Sequence, residues 1–150
     1  MKKAVLGLLL AASFGAQAVD SMSFTPEPTL AERMVAARAA IAAQDWRAAL
    51  TELNKARRIE PRNADVHNLL GYTYRKQTVP DLPKSFEHYE TALKLNPNHK
   101  GAHEYIGEAY LMDKKPDEAK KHLLALEQIC GNKTCEEYED LAKAIAQYKP

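Results

Sequence analysis

The sequence predicts an all-α fold: a solenoid of about three helical hairpins, closed at its C-terminal end by one more helix. Three observations carry this expectation. Leu70-Gly71-x-x-Tyr74 recurs as Ile106-Gly107-x-x-Tyr110, and Ala56-Arg57-Arg58-Ile59-Glu60-Pro61 recurs as Ala92-Leu93-Lys94-Leu95-Asn96-Pro97. The offset of about 36 residues is a period of stacked helix pairs. Helix-start and helix-stop residues fall at regular intervals between the copies. After the last copy comes one further amphipathic stretch, of the kind that covers the open hydrophobic end of a stack.

The elements follow in order. Met1-Lys2-Lys3 is a short basic start, residues 4–14 are apolar, and Ala16-Gln17-Ala18 supplies a small-x-small cleavage pattern. Residues 1–18 therefore read as a secretory signal peptide cut before Val19. Its apolar run of about eleven residues is shorter than the roughly 20 that a bilayer core needs. Export, most simply to a periplasm, is expected, with no stable membrane span after cleavage. Residues 19–29, with Pro26 and Pro28, read as a flexible lead-in next to the first repeat.

Thr29-x-x-Glu32 is a capping box that opens the first helix, an Ala-rich stretch running to about residue 43. Asp45 caps a second helix from Trp46 to near Glu60, stopped by Pro61. These form the first unit, 30–63. In the second unit, 64–99, Asn63 caps a helix to about Lys76. A longer connection, residues 77–81, precedes a helix that tolerates Pro83 in its first turn and stops before Pro97. The third unit, 100–134, holds helices over 100–112 and 116–129. A second capping box, Thr134-x-x-Glu137, opens the capping helix 135–150, striped by Leu141, Ala142, Ile145 and Tyr148.

The chain has 150 residues with 45% hydrophobic content, enough for one domain of ordinary globular composition. Without Lys2 and Lys3 its acidic and basic residues nearly balance, which leaves no footprint for nucleic acid. In an oxidising compartment Cys130 and Cys135 are expected to pair. A closed loop of about six residues contributes about 2 kcal/mol in the chain-entropy model. Redox dithiols of thioredoxin type use a two-residue gap, so the four residues between these cysteines fit a staple better, although Cys135 stands at a helix start.

His99 and His103 are spaced to place two imidazoles on one helix face, but no carboxylate or cysteine completes a ligand set. His67 with His103, and His88 with His122, hold equivalent places in successive units and read as repetition and packing. No metal or other cofactor is expected. The sequence has no Gly-x-Ser-x-Gly, no His-Glu-x-x-His and no phosphate-binding glycine loop, so a non-enzymatic role is expected.

Over residues 30–134 the chain resembles the tetratricopeptide repeat family. Unit two supplies Leu70, Gly71, Tyr74, Ser85, Tyr89, Ala92 and Pro97; unit three supplies Ile106, Gly107, Tyr110, Ala119, Leu123 and Leu126. Unit one supplies Ala37, Ala49, Leu53, Ala56 and Pro61 but lacks the Leu-Gly pair. Arg33, His67 and His103 stand where the pattern has a bulky aromatic, and Gly131 replaces the closing proline of unit three. Gly71 and Gly107 are expected where the helices of a hairpin cross, facing the small Ala49, Ser85 and Ala119 series, with Tyr74, Tyr89, Tyr110 and Leu123 filling the remaining space.

The resemblance implies a concave groove that binds a protein or peptide. It places Met34, Arg38 and Ile41 there from unit one, Asp65, Asn68, Tyr72 and Arg75 from unit two, and Glu104, Glu108 and Leu111 from unit three. Asn68, Tyr72 and Arg75 would hold a peptide backbone, and Glu104 and Glu108 would favour a basic side chain. Arg38 and Asn68 suit the carboxylate-gripping set of some members, whereas Met34, Gly101 and Glu104 break it. The tail around Cys130 and Cys135 is similar to that of some small exported bacterial repeat proteins. The expected function is an envelope adaptor that binds an unidentified protein or peptide. The alternative is redox or metal handling through Cys130/Cys135 or the histidines, and self-association is a third reading.

Overall fold

A computed structural model describes residues 26–149; the expected signal segment and the start of the lead-in lie outside the described residues. Among the described residues there are seven helices and no strand: α1 (Leu30–Ala42), α2 (Trp46–Ile59), α3 (Ala64–Lys76), α4 (Leu82–Leu95), α5 (Lys100–Met112), α6 (Pro116–Cys130) and α7 (Glu136–Gln147). They pair as α1–α2, α3–α4 and α5–α6, each hairpin stacks on the next, and α7 packs on α5 and α6.

The helix starts are set by side chains that satisfy orphan amides. Thr29 accepts from the Glu32 N–H while the Glu32 carboxylate takes the Thr29 N–H at 2.8 Å. Asp45, Asn63 and Asp81 accept from the N–H groups of Ala48, Val66 and Lys84. His99 does the same with an imidazole, its Nδ1 accepting from the Ala102 N–H at 3.1 Å. The capping box expected at Thr134 does not form. Cys135 is the N-cap of α7 and makes no side-chain cap bond. Asn132 Oδ1 takes both the hydroxyl and the N–H of Thr134, each at 2.9 Å, and holds Thr134 one residue outside the helix start. Three glutamates in the first turn of α7 face its positive end instead.

The turns inside hairpins one and three are alike. Gln44 and Lys114 take left-handed backbone (φ 56° and 59°). The following N–H groups, of Asp45 and Lys115, return to Ala40 and Tyr110 carbonyls at 2.9 and 2.8 Å. Hairpin two uses its longer connection, tied by Asp81 N–H to the Tyr74 carbonyl at 3.1 Å.

Leu53, Ala56, Val66 and Leu70 are fully buried between the first two hairpins, with Leu30, Met34, Ile41 and Tyr74 packed against them. Tyr89 and Ile106 anchor the next layer with Phe86, Tyr105 and Tyr110. Each buried leucine side chain contributes roughly 1.5–3 kcal/mol relative to exposure. At Gly71 an added Cβ would lie 2.6 Å from the Tyr89 ring and 3.0 Å from the Ser85 carbonyl, so α3 and α4 cross there as expected. The Ser85 hydroxyl seals that crossing by donating to the Gly71 carbonyl at 2.8 Å. Gly107 differs from expectation. A Cβ there would meet the Leu141 methyls of α7 at 2.6 Å, so this glycine admits the capping helix.

Each hairpin carries one polar bridge at the same register, where the repeat pattern has an aromatic. Arg33 Nη1 donates to Glu52 at 2.8 Å in hairpin one. In hairpins two and three, His67 meets His88 and His103 meets His122 through their Nδ1 atoms, at 3.1 and 2.9 Å. His67 and His103 also reach the Pro61 and Pro97 carbonyls through Nε2. A carbonyl only accepts, so Nε2 carries the hydrogen, and each Nδ1 accepts from the partner imidazole. Tyr74 stacks on His88, and Tyr110 on His122. Burial, then the neighbouring imidazole, hold His88 and His122 down to about 4. The equivalent places seen in sequence are therefore two copies of one imidazole pair.

Candidate functional site: a groove across the first helices

The first helices of the three hairpins and the start of α7 line three adjoining pockets. The first, of about 570 Å³, lies between Ile41, Ala42, Trp46, Tyr72 and Lys76. The second, of about 250 Å³, shares Ile41, Ala42 and Tyr72 with it and adds Arg38, Leu69 and Tyr105. The third, of about 310 Å³, shares Arg38, Leu69 and Tyr105 and continues through Asn68 and Glu104 to Glu136, Glu137 and Asp140. Shared walls make these one groove, apolar in the middle and acidic at the α7 end.

The floor is braced from beneath. Arg75 is 6% exposed. Its Nη2 meets Glu108 at 2.5 Å, and its Nε donates to the Tyr89 hydroxyl at 3.3 Å. Its guanidinium lies 5.6 Å from the rings of both Tyr72 and Tyr105, which stand 4.9 Å apart. A buried cation with a carboxylate and a hydroxyl around it is satisfied without a ligand. Arg75 and Glu108 thus hold the tyrosines rather than face the groove, unlike the arrangement the resemblance implied. Met34 is likewise used in core packing, and Leu111 is buried. Of the residues expected there, Arg38, Ile41, Asp65, Asn68, Tyr72 and Glu104 line the groove.

Two details fix the acidic end. Asp65 Oδ1 lies 2.9 Å from His99 Nε2, and His99 Nδ1 is the helix cap already described. With His103 paired to His122, the nitrogens of His99 and His103 are used separately rather than aimed at a shared ion. Glu104, 8% exposed, is held up to about 8 by burial first, then by the carboxylates of Glu108, Asp140 and Glu137. Burial and Glu104 also raise the Tyr105 hydroxyl. The α7 carboxylates were not foreseen, although the acidic run Glu136-Glu137 at the start of a capping helix was their visible trace.

Away from the groove floor, the α6–α7 connection brings the sulfurs of Cys130 and Cys135 to 2.07 Å with their Cα atoms 6.3 Å apart. No helix of the described residues is long and apolar enough to cross a membrane.

Stacked helical hairpins, a braced groove on the first helices and a capping helix define a repeat scaffold that presents a preformed surface. The tetratricopeptide repeat profile matches residues 34–85 and 81–132, and the chain belongs to that family. Among solved structures, the TPR2B domain of yeast Sti1 in its pHsp70 complex shares the fold. Its TM-score is 0.69 at 17% identity, over 80% of this chain and 98% of that one. No curated protein matches the sequence.

Proposed function

We propose that this protein is a non-enzymatic adaptor of the cell envelope that binds an extended segment of a partner protein in the groove. The observation that carries the reading is the braced floor. Tyr72 and Tyr105 are fixed over the Arg75–Glu108 pair, so rigid aromatic area is presented with little ordering cost on this side. The similar yeast domain, solved in its pHsp70 complex, supports a binding role for the fold. The envelope assignment rests on the N-terminal pattern, and it implies a mature chain starting at Val19 with Cys130 and Cys135 joined.

Panning a random peptide library over the immobilised protein tests the groove. The control is an Arg38→Glu/Ala42→Lys variant, whose two positions are exposed and so leave packing intact. Peptides retained by the wild type and lost from the folded variant support the reading; equal retention by both removes the groove as the site. A second reading, redox handling, rests on the Cys130–Cys135 disulfide with the Glu137 carboxylate within 4.8 Å of its sulfurs; joined in this way the pair offers no thiolate to a metal. A Cys130→Ser/Cys135→Ser variant separates the two, because the adaptor keeps its peptides and merely melts earlier.

A further inference from the structure

We infer that the α7 end of the groove is a subsite for one cationic side chain, an arginine or lysine of the bound segment. The inference rests on the peptide-binding reading above and specifies its ligand.

Five carboxylates line this pocket, those of Asp65, Glu104, Glu136, Glu137 and Asp140, against Arg38 and the imidazole of His99. Such a cluster alone is ordinary solvated surface. Two buried side chains make it more than that. Asn68 lines the same pocket, is 6% exposed, and its Oδ1 has no hydrogen-bond partner among the described residues. Native structures rarely leave a buried polar atom unpaired, because the lost hydration is uncompensated. Glu104, at 8% exposure, pairs with no cation among the described residues, while neighbouring Glu108 is taken by Arg75. The Glu104 carboxyl in the pocket wall is an acceptor, and Asn68 Oδ1, fully shielded as the amide now stands, becomes a second one when the amide turns over. A guanidinium or ammonium is a donor only, and it brings the missing charge. On the Gly101 side the amide now presents Nδ2, 3.2 Å from where a Cβ would stand, so turning the amide over would bring its oxygen to that open space.

The shape favours a side chain over a metal ion. A hard divalent ion takes oxygen ligands at roughly 2.0–2.6 Å, which demands carboxylates gathered on one point. Among the described residues no set of carboxylates is gathered on one point, the one compact group being the Cys130–Cys135 disulfide with Glu137; the pocket's carboxylates are spread around about 310 Å³. Leu69 and Tyr105, on the wall shared with the apolar middle of the groove, suit the alkyl stem of a long cationic side chain. A bound cation also favours the ionised form of Glu104, so binding near neutral pH should release protons.

The test uses the intact protein and two hexapeptide libraries, one with a fixed central arginine and one with the neutral isostere citrulline. Retention of the arginine library should exceed that of citrulline by about tenfold, the scale of one charge-assisted contact. The preference should vanish in Glu104→Gln and in Asp140→Asn, the latter an exposed α7 position that leaves packing untouched. Calorimetry at pH 7 in phosphate and in Tris should give different heats, reporting proton release. Equal retention of both libraries, lost from the Arg38→Glu/Ala42→Lys variant, overturns the cationic subsite and leaves the groove reading standing. Retention of neither overturns both. Stoichiometric calcium binding that abolishes the arginine preference makes the pocket a metal site and overturns the inference.

Discussion

A single hydrogen in place of a methyl group lets α3 and α4 close at Gly71. Gly71→Ala would drive a Cβ onto an aromatic ring and a backbone carbonyl, neither of which can retreat inside a packed hairpin. The cost should be about 1–3 kcal/mol of unfolding free energy in urea titration. Gly107→Ala meets the flexible Leu141 side chain first, so it should cost less, and its cost should shrink in a Leu141→Ala background. Titrating residues set a second expectation. His88 and His122, near 6.5 when unfolded and about 4 in the fold, take up protons in the unfolded chain first. Their contribution is therefore full above about pH 6.5 and lost as pH falls toward 4. Glu104 acts with the opposite sign. Its carboxyl, about 8 in the fold and 4.5 as reference, lowers stability as pH rises across that interval. Melting temperature should drop from pH 7 to pH 4.5, and Glu104→Gln should raise it at pH 9 more than at pH 5.

At the scale of elements, the caps make separable predictions. Asp45→Ala removes an acceptor from the Ala48 N–H and should cost about 1 kcal/mol. Thr134→Ala should cost little, because that hydroxyl bonds Asn132 rather than the start of α7. Lys114→Gly relieves left-handed backbone in the third hairpin turn and should stabilise by about 1 kcal/mol, all three read from thermal melts. The helices were legible because Thr29, Asp45, Asn63, Pro61 and Pro97 act locally, on amides and carbonyls within one turn. Thr134 misled for the same reason: its amide and hydroxyl turn back to Asn132, the helix starts one residue later at Cys135, and a capping-box pattern does not fix that register. Pairing across helices was not legible at all. Alignment of units relates His67 to His103, yet the physical pairs are His67–His88 and His103–His122, set by how each hairpin closes.

For the whole molecule, the consequence of stacking is that α7 does two jobs. It fills the space above Gly107 with Leu141, and it turns Glu136, Glu137 and Asp140 toward the groove begun by α1. The repeat register put Arg38, Asn68, Tyr72 and Glu104 on the first helices, and all four line the pockets there. Arg75 and Glu108 lie on neighbouring repeats, and only the rotation between hairpins decides that they meet each other before any ligand. The measurement that tests the groove most directly is amide chemical-shift mapping of the protein with a peptide retained in the panning experiment. Shifts should concentrate on Arg38, Leu69, Tyr72, Gly101 and Tyr105, along the first helices. Shifts confined to α2, α4 and α6, or to the Cys130–Cys135 connection, would contradict the account.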